Sequence, residues 1–156
     1  MEIEIRKAEP RDISRIMDLL SQVLEVHAAG RPDLFKSGTT KYAPSELEEI
    51  IADPERPIFV GEHDGVVQGY AFCVFQRHEE QNTPEFTTLY IDDLCVDENA
   101  RGMHVGKALY EYVLKFAKES GCYNVTLNVW ACNESAMKFY EKCGLSVQKI
   151  GMEKIL

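Results

Sequence analysis

The sequence predicts an α/β fold, and two patterns carry that prediction. The first lies at 89–119. The apolar run Leu89–Val96 breaks into polar turn residues at 97–100, and from Val105 onward apolar residues recur at Val105, Ala108, Leu109, Tyr112, Val113, Phe116 and Ala117. That recurrence is one face of a 3.6-residue period, so a buried strand feeds an amphipathic helix. The second pattern is the alternation of strand-type and helix-type segments along the whole chain, in the order βααβββαβαβ.

Residues 2 to 7 alternate Ile3 and Ile5 with charges, as a half-buried strand does. Pro10-Arg11-Asp12 opens a helix with the stripe Ile13, Ile16, Met17, Leu20, Val23, Leu24. Residues 28 to 43 have no period and carry turn signals throughout. A short helix then starts at Pro44. Ile58–Glu62, a turn at His63-Asp64-Gly65 and Val66–Phe75 predict a β-hairpin. Arg77–Pro84 reads as a polar loop, and Thr87–Val96 as the strand before the central helix. Ser120-Gly121 closes that helix, and Asn124–Trp130 is the next strand. Asn133–Cys143 is the last helix, Gly144 is its left-handed cap, and 145–156 is expected to return as a final strand.

Composition bounds the function. At 156 residues the chain is expected to be a single domain, 1–156, with a substantial core. No run of about 18 apolar residues exists, so no membrane partner is expected. The N-terminus lacks a signal-peptide apolar region, and the five cysteines are scattered with no Cys-x-x-Cys spacing. Reduced thiols in a cytoplasmic protein fit that usage. The net charge of −9 opposes non-specific nucleic-acid binding. No cluster has metal-ligand spacing, and neither a P-loop nor Gly-x-Gly-x-x-Gly is present.

The junction between strand and central helix carries the chemistry. A helix start offers unpaired N–H groups and partial positive charge, which suits phosphate. Gly102 and Gly106 would let the backbone approach a large anion, and Arg101 and Lys107 add full charges. The segment is read as a pyrophosphate cradle. In the last helix Asn133 is a good N-cap, and Asn133, Ala136 or Met137, and Tyr140 share one stripe. Two readings of that stripe stand: a lining for a cofactor's arm, or a helix that packs Phe139 and Tyr140 into the core.

Arg101-Gly102-Met103-His104-Val105-Gly106 resembles the Arg/Gln-x-x-Gly-x-Gly/Ala signature of the Gcn5-related N-acetyltransferases (GNATs), with His104 at the middle glycine. The element order matches that superfamily over essentially the whole chain. The resemblance implies the GNAT acyl-CoA N-acyltransferase fold, a twisted mixed sheet of six or seven strands with helices on both faces. It also implies acetyl-CoA as cosubstrate, held by Leu94, Cys95, Val96, Arg101, Gly102, Met103, His104, Val105, Gly106, Lys107, Asn133 and Ala136. His104 has a Cβ and is expected to fit only if its position needs no positive φ. By the family's Asn-x-x-Ala-x-x-x-Tyr helix, Tyr140 is the expected acid that protonates the departing thiolate.

An amine must lose a proton before it attacks a thioester, which calls for a base. Asp92 and Asp93 lie on the strand before the motif. Adjacent strand residues face opposite ways, so only one can enter a given cleft unless a β-bulge intervenes. Asp92 is expected as the base and Asp93 as an acceptor-binding group, with Glu25 and His27 near the irregular 28–43 segment. Trp130 is read as core or as an edge of the cofactor cleft. The strand Asp92-Asp93-Leu94-Cys95-Val96 resembles that of polyamine acetyltransferases, and a small amine is the preferred acceptor. A protein N-terminus or lysine, an antibiotic, and a non-catalytic acyl-CoA-binding role stay open. So does a homodimer.

Overall fold

The computed structural model describes residues 2–156. Its sheet has five strands: β1 (Glu4–Lys7), β2 (Ile58–His63), β3 (Val66–His78), β4 (Phe86–Val96) and β5 (Asn124–Leu127). They lie in sequence order, antiparallel from β1 to β4, with β5 parallel to β4. The β2–β3 turn places Asp64 and Gly65 at φ 50° and 77°, as a two-residue hairpin requires. Strand β3 continues to His78, further than its apolar pattern predicts, because Arg77 and His78 pair with Thr87 and Phe86.

Helices cover both faces, as two half-buried helical stripes require. On one face α1 (Ile13–Gly30) and α2 (Pro44–Ile51) bury Ile16, Leu19, Leu20, Leu47 and Ile50 against Val60, Tyr70, Phe72 and Cys95. On the other, α3 (Val105–Glu119) sets Val105, Leu109, Val113 and Ala117 against Phe59, Ala71, Cys73, Leu89 and Ile91. Each fully buried Leu or Val contributes about 1.5–3 kcal/mol over an exposed one. The first helix begins as a 3-10 turn at Pro10–Asp12 before turning α-helical at Ile13.

The C-terminal third differs from expectation. β5 stops at Leu127 rather than Trp130, and α4 (Glu134–Lys142) has no buried residue. The final strand expected at 145–156 is not formed, so the sheet has five strands and not six or seven. A strand needs a paired edge, and this segment lies along none. From Lys118 to Leu156 not one residue is buried. Among the described residues no helix is long and apolar enough to cross a membrane, and no group of three metal-ligating side chains occurs.

Candidate active site

Strand β4 changes its facing at one residue. Ile91 pairs with Cys73 and Asp93 with Phe72, so Asp92 is an extra residue, a β-bulge. Leu89 and Ile91 face the α3 core, yet Cys95 joins the α1–α2 core. The bulge therefore puts both aspartates on the α1–α2 side. At the same point β4 parts from β5, whose pairing runs only from Thr88 to Ile91. Residues 92–96 keep a backbone edge with no strand beside it. Such an edge can take the amides of an extended chain.

That edge leads to the expected phosphate loop. Asp97 is 4% exposed; its side chain accepts from the Asn99 N–H at 2.7 Å, from Arg15 and from Gln22. The Asn99 hydrogen bond first, and the Arg15 bond next, hold this carboxyl below its usual range. The loop's entry is thus pinned to α1. His104 is the N-cap of α3 and is left-handed, φ 62° and ψ 24°. The expectation that histidine fits only without positive φ is overturned: His104 occupies the conformation for which glycine carries no penalty, at a cost of about 1–2 kcal/mol. Gly102 is also left-handed, φ 87°, while Gly106 serves packing: a Cβ there would lie 3.2 Å from Phe139 of α4. Gly106 thus sets how closely α3 meets α4, besides any approach to an anion. Val105 is buried by its side chain, so only its backbone faces the loop, and Met103 packs on the α3 core. Arg101 and Lys107 are exposed beside or within the first turn of α3. Ala108 makes the first helical hydrogen bond, to His104, so the preceding N–H groups have no helical acceptor.

Asp92 and Asp93 have different surroundings. Asp92 Oδ2 accepts from Lys41 Nζ at 2.8 Å and from the Tyr42 hydroxyl at 3.1 Å. The expected base is therefore held in an ion pair. Asp93 Oδ2 accepts from the Tyr70 hydroxyl at 2.7 Å. Its side chain is half-buried, and the surrounding protein excludes enough water that desolvation pushes this carboxyl up to about 6. Tyr140, on α4, is half-buried, and burial followed by the Asp93 charge raises its hydroxyl well above the ordinary range. The Cys95 thiol, pushed up to about 12 by burial and then by Asp93, belongs to the same group. Tyr70 and Cys95 thus lie around Asp93, and the Asp93 charge is felt at Tyr140.

A groove runs past it. One cavity of about 140 Å³ is lined by Gln22, Val23, Leu94, Cys95, Val96 and Arg101, and a second of about 300 Å³ by His27, Gly30, Trp130, Cys132 and Asn133. Val26 lines both. At the far end His27, Phe35 and Trp130 pack in series, His27 tilted on Phe35 at 5.0 Å and Phe35 edge-on to Trp130 at 5.5 Å between centroids, with the Arg31 guanidinium 5.9 Å above Trp130. Burial, then Lys41, holds the His27 imidazole below its usual range.

Six of the seventeen expected site residues meet along this groove. Leu94, Cys95, Val96, Arg101, His27 and Asn133 line it. Asn133 also caps α4, its Oδ1 accepting from Ala136 N at 3.2 Å. Glu25 does not join them: its carboxylate is taken by the Ser37 hydroxyl and the Gly38 N–H, both at 2.7 Å, and so holds the 28–43 segment. Lys41, Tyr42, Tyr70 and Phe35 complete the surroundings without having stood out as site residues. Phe35 and Lys41 lie in a segment with no period, and Tyr70 sits in a strand where it reads as core.

The profile of the acetyltransferase (GNAT) family matches residues 21–145. Glucosamine 6-phosphate N-acetyltransferase of Arabidopsis thaliana is 40% identical over 65 residues, which is 42% of this chain and 42% of that enzyme. The 5-NmdU N-acetyltransferase of Pseudomonas phage PaMx11 is 27% identical over 93% of this chain and 88% of its own length. Among solved structures, a tetramutant of the BH1408 protein from Bacillus halodurans superposes with a TM-score of 0.93 at 28% identity, covering 98% of this chain and 99% of that one.

Proposed function

The chain belongs to the acetyltransferase (GNAT) family, whose members use acetyl-CoA, and from that premise we propose that residues 1–156 act as one domain that acetylates a small primary amine by direct transfer. The observation that carries this reading is the bulge that sets Asp93 where β4 parts from β5, next to a free strand edge that leads to a helix start. A proton acceptor stands at that edge, and α4 carries a phenol, Tyr140, as the proton donor.

Acetyl-CoA supplies an activated acetyl group as a thioester. The N–H groups at the start of α3, with Arg101 and Lys107, hold the pyrophosphate. The free edge of β4 at Leu94–Val96 pairs with the pantetheine amides, and its N–H groups stabilise negative charge on the thioester oxygen. Asp93 takes the proton of the incoming amine, since a carboxyl raised to about 6 is a better base than an ordinary one. Tyr140 gives its proton to the departing sulfur. In this assignment Asp92 orders Lys41 and Tyr42, and the base role first expected of it passes to its neighbour. The groove walled by His27, Phe35 and Trp130 receives the acceptor, and the match to a glucosamine 6-phosphate enzyme supports a small amine.

The test is a panel of small amines, amino sugars and peptides assayed for CoA release with wild type, Asp93→Asn and Tyr140→Phe. The expected result is turnover of a small amine that both substitutions depress by tenfold or more. Turnover of no amine, or equal turnover by all three proteins, overturns the reading.

A further inference from the structure

The chain places a primary amine of its own at the cleft. Lys41 Nζ lies 2.8 Å from Oδ2 of Asp92, the first residue of the unpaired β4 edge, and its side chain is 50% exposed. The bulge turns the Asp92 carboxylate to the same side as Asp93. The Lys41 charge is felt at Asp93 and at His27, so this ammonium stands near both the proposed base and the groove wall.

Contacts on either side deliver Lys41 to this place. Glu25 accepts from the Ser37 hydroxyl and the Gly38 N–H, both at 2.7 Å, which ties the connection between α1 and α2 back to α1. The next residue, Tyr42, lies parallel to Phe72 of β3 at 5.6 Å between centroids and donates its hydroxyl to Asp92 at 3.1 Å. These contacts fix the backbone around 41 and leave a flexible four-carbon stem with its tip half in water. Among the described residues, Lys41 is the lysine that pairs with the β4 edge, whereas Lys107 and Lys115 pair along α3 with Glu111 and Glu119.

We propose that Lys41 is an intramolecular acceptor: with acetyl-CoA bound and no outside amine in the cleft, the enzyme acetylates its own Lys41 Nζ. Burial alone would loosen the Lys41 proton, but the bond to Asp92 outweighs it and holds the group charged, so a base is required. Asp93 takes one proton and frees the lone pair. That pair forms a C–N bond to the thioester carbonyl carbon, the C–S bond breaks, and the sulfur leaves as a thiol with the Tyr140 proton. The surplus proton on the new amide nitrogen restores Tyr140, and Asp93 releases its proton to water. One acetyl-CoA thus yields one acetyl-lysine, one CoA thiol and one proton. A tethered amine needs no encounter, and a well-placed intramolecular group reacts as though far more concentrated than a free acceptor can be. The product is neutral at Nζ, so the ion pair is lost and Asp92 stands uncompensated beside Asp93. Self-transfer rests on the proposed acetyl transfer, and the experiment separates the two.

The full chain is incubated with deuterated acetyl-CoA and no acceptor, and its peptides are weighed. Label should accumulate at Lys41 toward one per chain, at a rate per molecule independent of protein concentration. Tyr140→Phe should slow it tenfold or more, and Lys41→Arg should take up only the background of the other lysines. Where Tyr140→Phe misfolds, Asp93→Asn takes its place. Label spread evenly over surface lysines, an unchanged rate in the variant, or a rate per molecule that grows with protein concentration overturns the proposal. Light acetyl already on Lys41 after expression supports it if the variant lacks that acetyl, and overturns it if the variant carries it too. If outside amines are acetylated while Lys41 stays bare, self-transfer fails and the acetyltransferase reading stands. If neither is acetylated, both fail.

Discussion

Tyr70 on β3 donates its phenolic hydrogen to Oδ2 of Asp93 on β4 across 2.7 Å. The bond satisfies a largely desolvated carboxylate from within the sheet. Desolvation still wins, since the carboxyl is pushed up to about 6 despite that bond. Asp93 is thus fixed in place and poised to change charge near neutral pH.

Asp93→Asn should remove the rise in kcat/KM with pH that Asp93 ionisation near 6 imposes on wild type. Stability should move the other way. The folded pKa is raised, so ionising Asp93 costs folding free energy. That cost is absent below about pH 4, grows as pH rises through about 6, and is complete above it. The variant should gain up to roughly 3 kcal/mol at pH 8 and nothing at pH 4. Denaturant titrations at the two pH values check this, and equal differences at both would show that Asp93 titrates as it does in the unfolded chain.

Tyr140→Phe should keep acetyl-CoA affinity and lose about ten- to ten-thousand-fold in turnover, the range for one general acid. The measurement must be made where chemistry limits the rate, because slow product release hides such a loss. Unchanged single-turnover rates would remove Tyr140 from the mechanism.

His104→Gly should stabilise the protein. It removes the left-handed penalty, while the added freedom of glycine in the unfolded chain offsets part of the gain. A net gain of up to about 1 kcal/mol corresponds to roughly 2–4 °C in Tm. Calorimetry should show acetyl-CoA affinity within about twofold, since backbone N–H groups do the holding. A lower Tm would mean that the imidazole makes a stabilising contact of its own.

Arg15→Met should cost about 1–3 kcal/mol, because Asp97 keeps its burial and loses its charged partner. It should also raise the KM for acetyl-CoA with kcat little changed, as loosened entry to the phosphate loop weakens ground-state binding. Acid should mimic it. The Asp97 carboxyl is held below its usual range, so its contribution is full above about pH 4 and is lost as pH falls through the lowered value.

The strand–loop–helix at 89–119 was legible because one period of apolar residues replaces another at a turn of polar ones. The bulge was legible only as a condition: Asp92 and Asp93 can share a cleft if one residue is extra. Which of the two is buried depends on Lys41 and Tyr42, contributed by a segment without periodicity. The sequence places no signal there, since loop side chains are positioned by what they touch. The arm at 145–156 misled for the converse reason. Its composition reads as a strand, but a strand is a relation between two segments, and 145–156 pairs with no other. His104 shows a third limit: a motif gives the residue type a position favours, and not the conformation the position imposes.

The extra residue at 92 acts as a phase shift of half a period in β4. Upstream of it odd-numbered side chains belong to the α3 core, and downstream they belong to the α1–α2 core. The strand is in effect two strands with opposite reading frames, joined where the sheet splits. Deleting one residue there would put the two frames back in register. Leu94 and Val96 would stay on the α3 side and Cys95 beneath α1 and α2, because the remaining aspartate would sit opposite Phe72 as Asp93 does now. What would be lost is the second carboxylate on the α1–α2 side, and with it the anchor of Lys41 and Tyr42. Both cores accept the shorter strand, so the extra residue serves the cleft and not the packing.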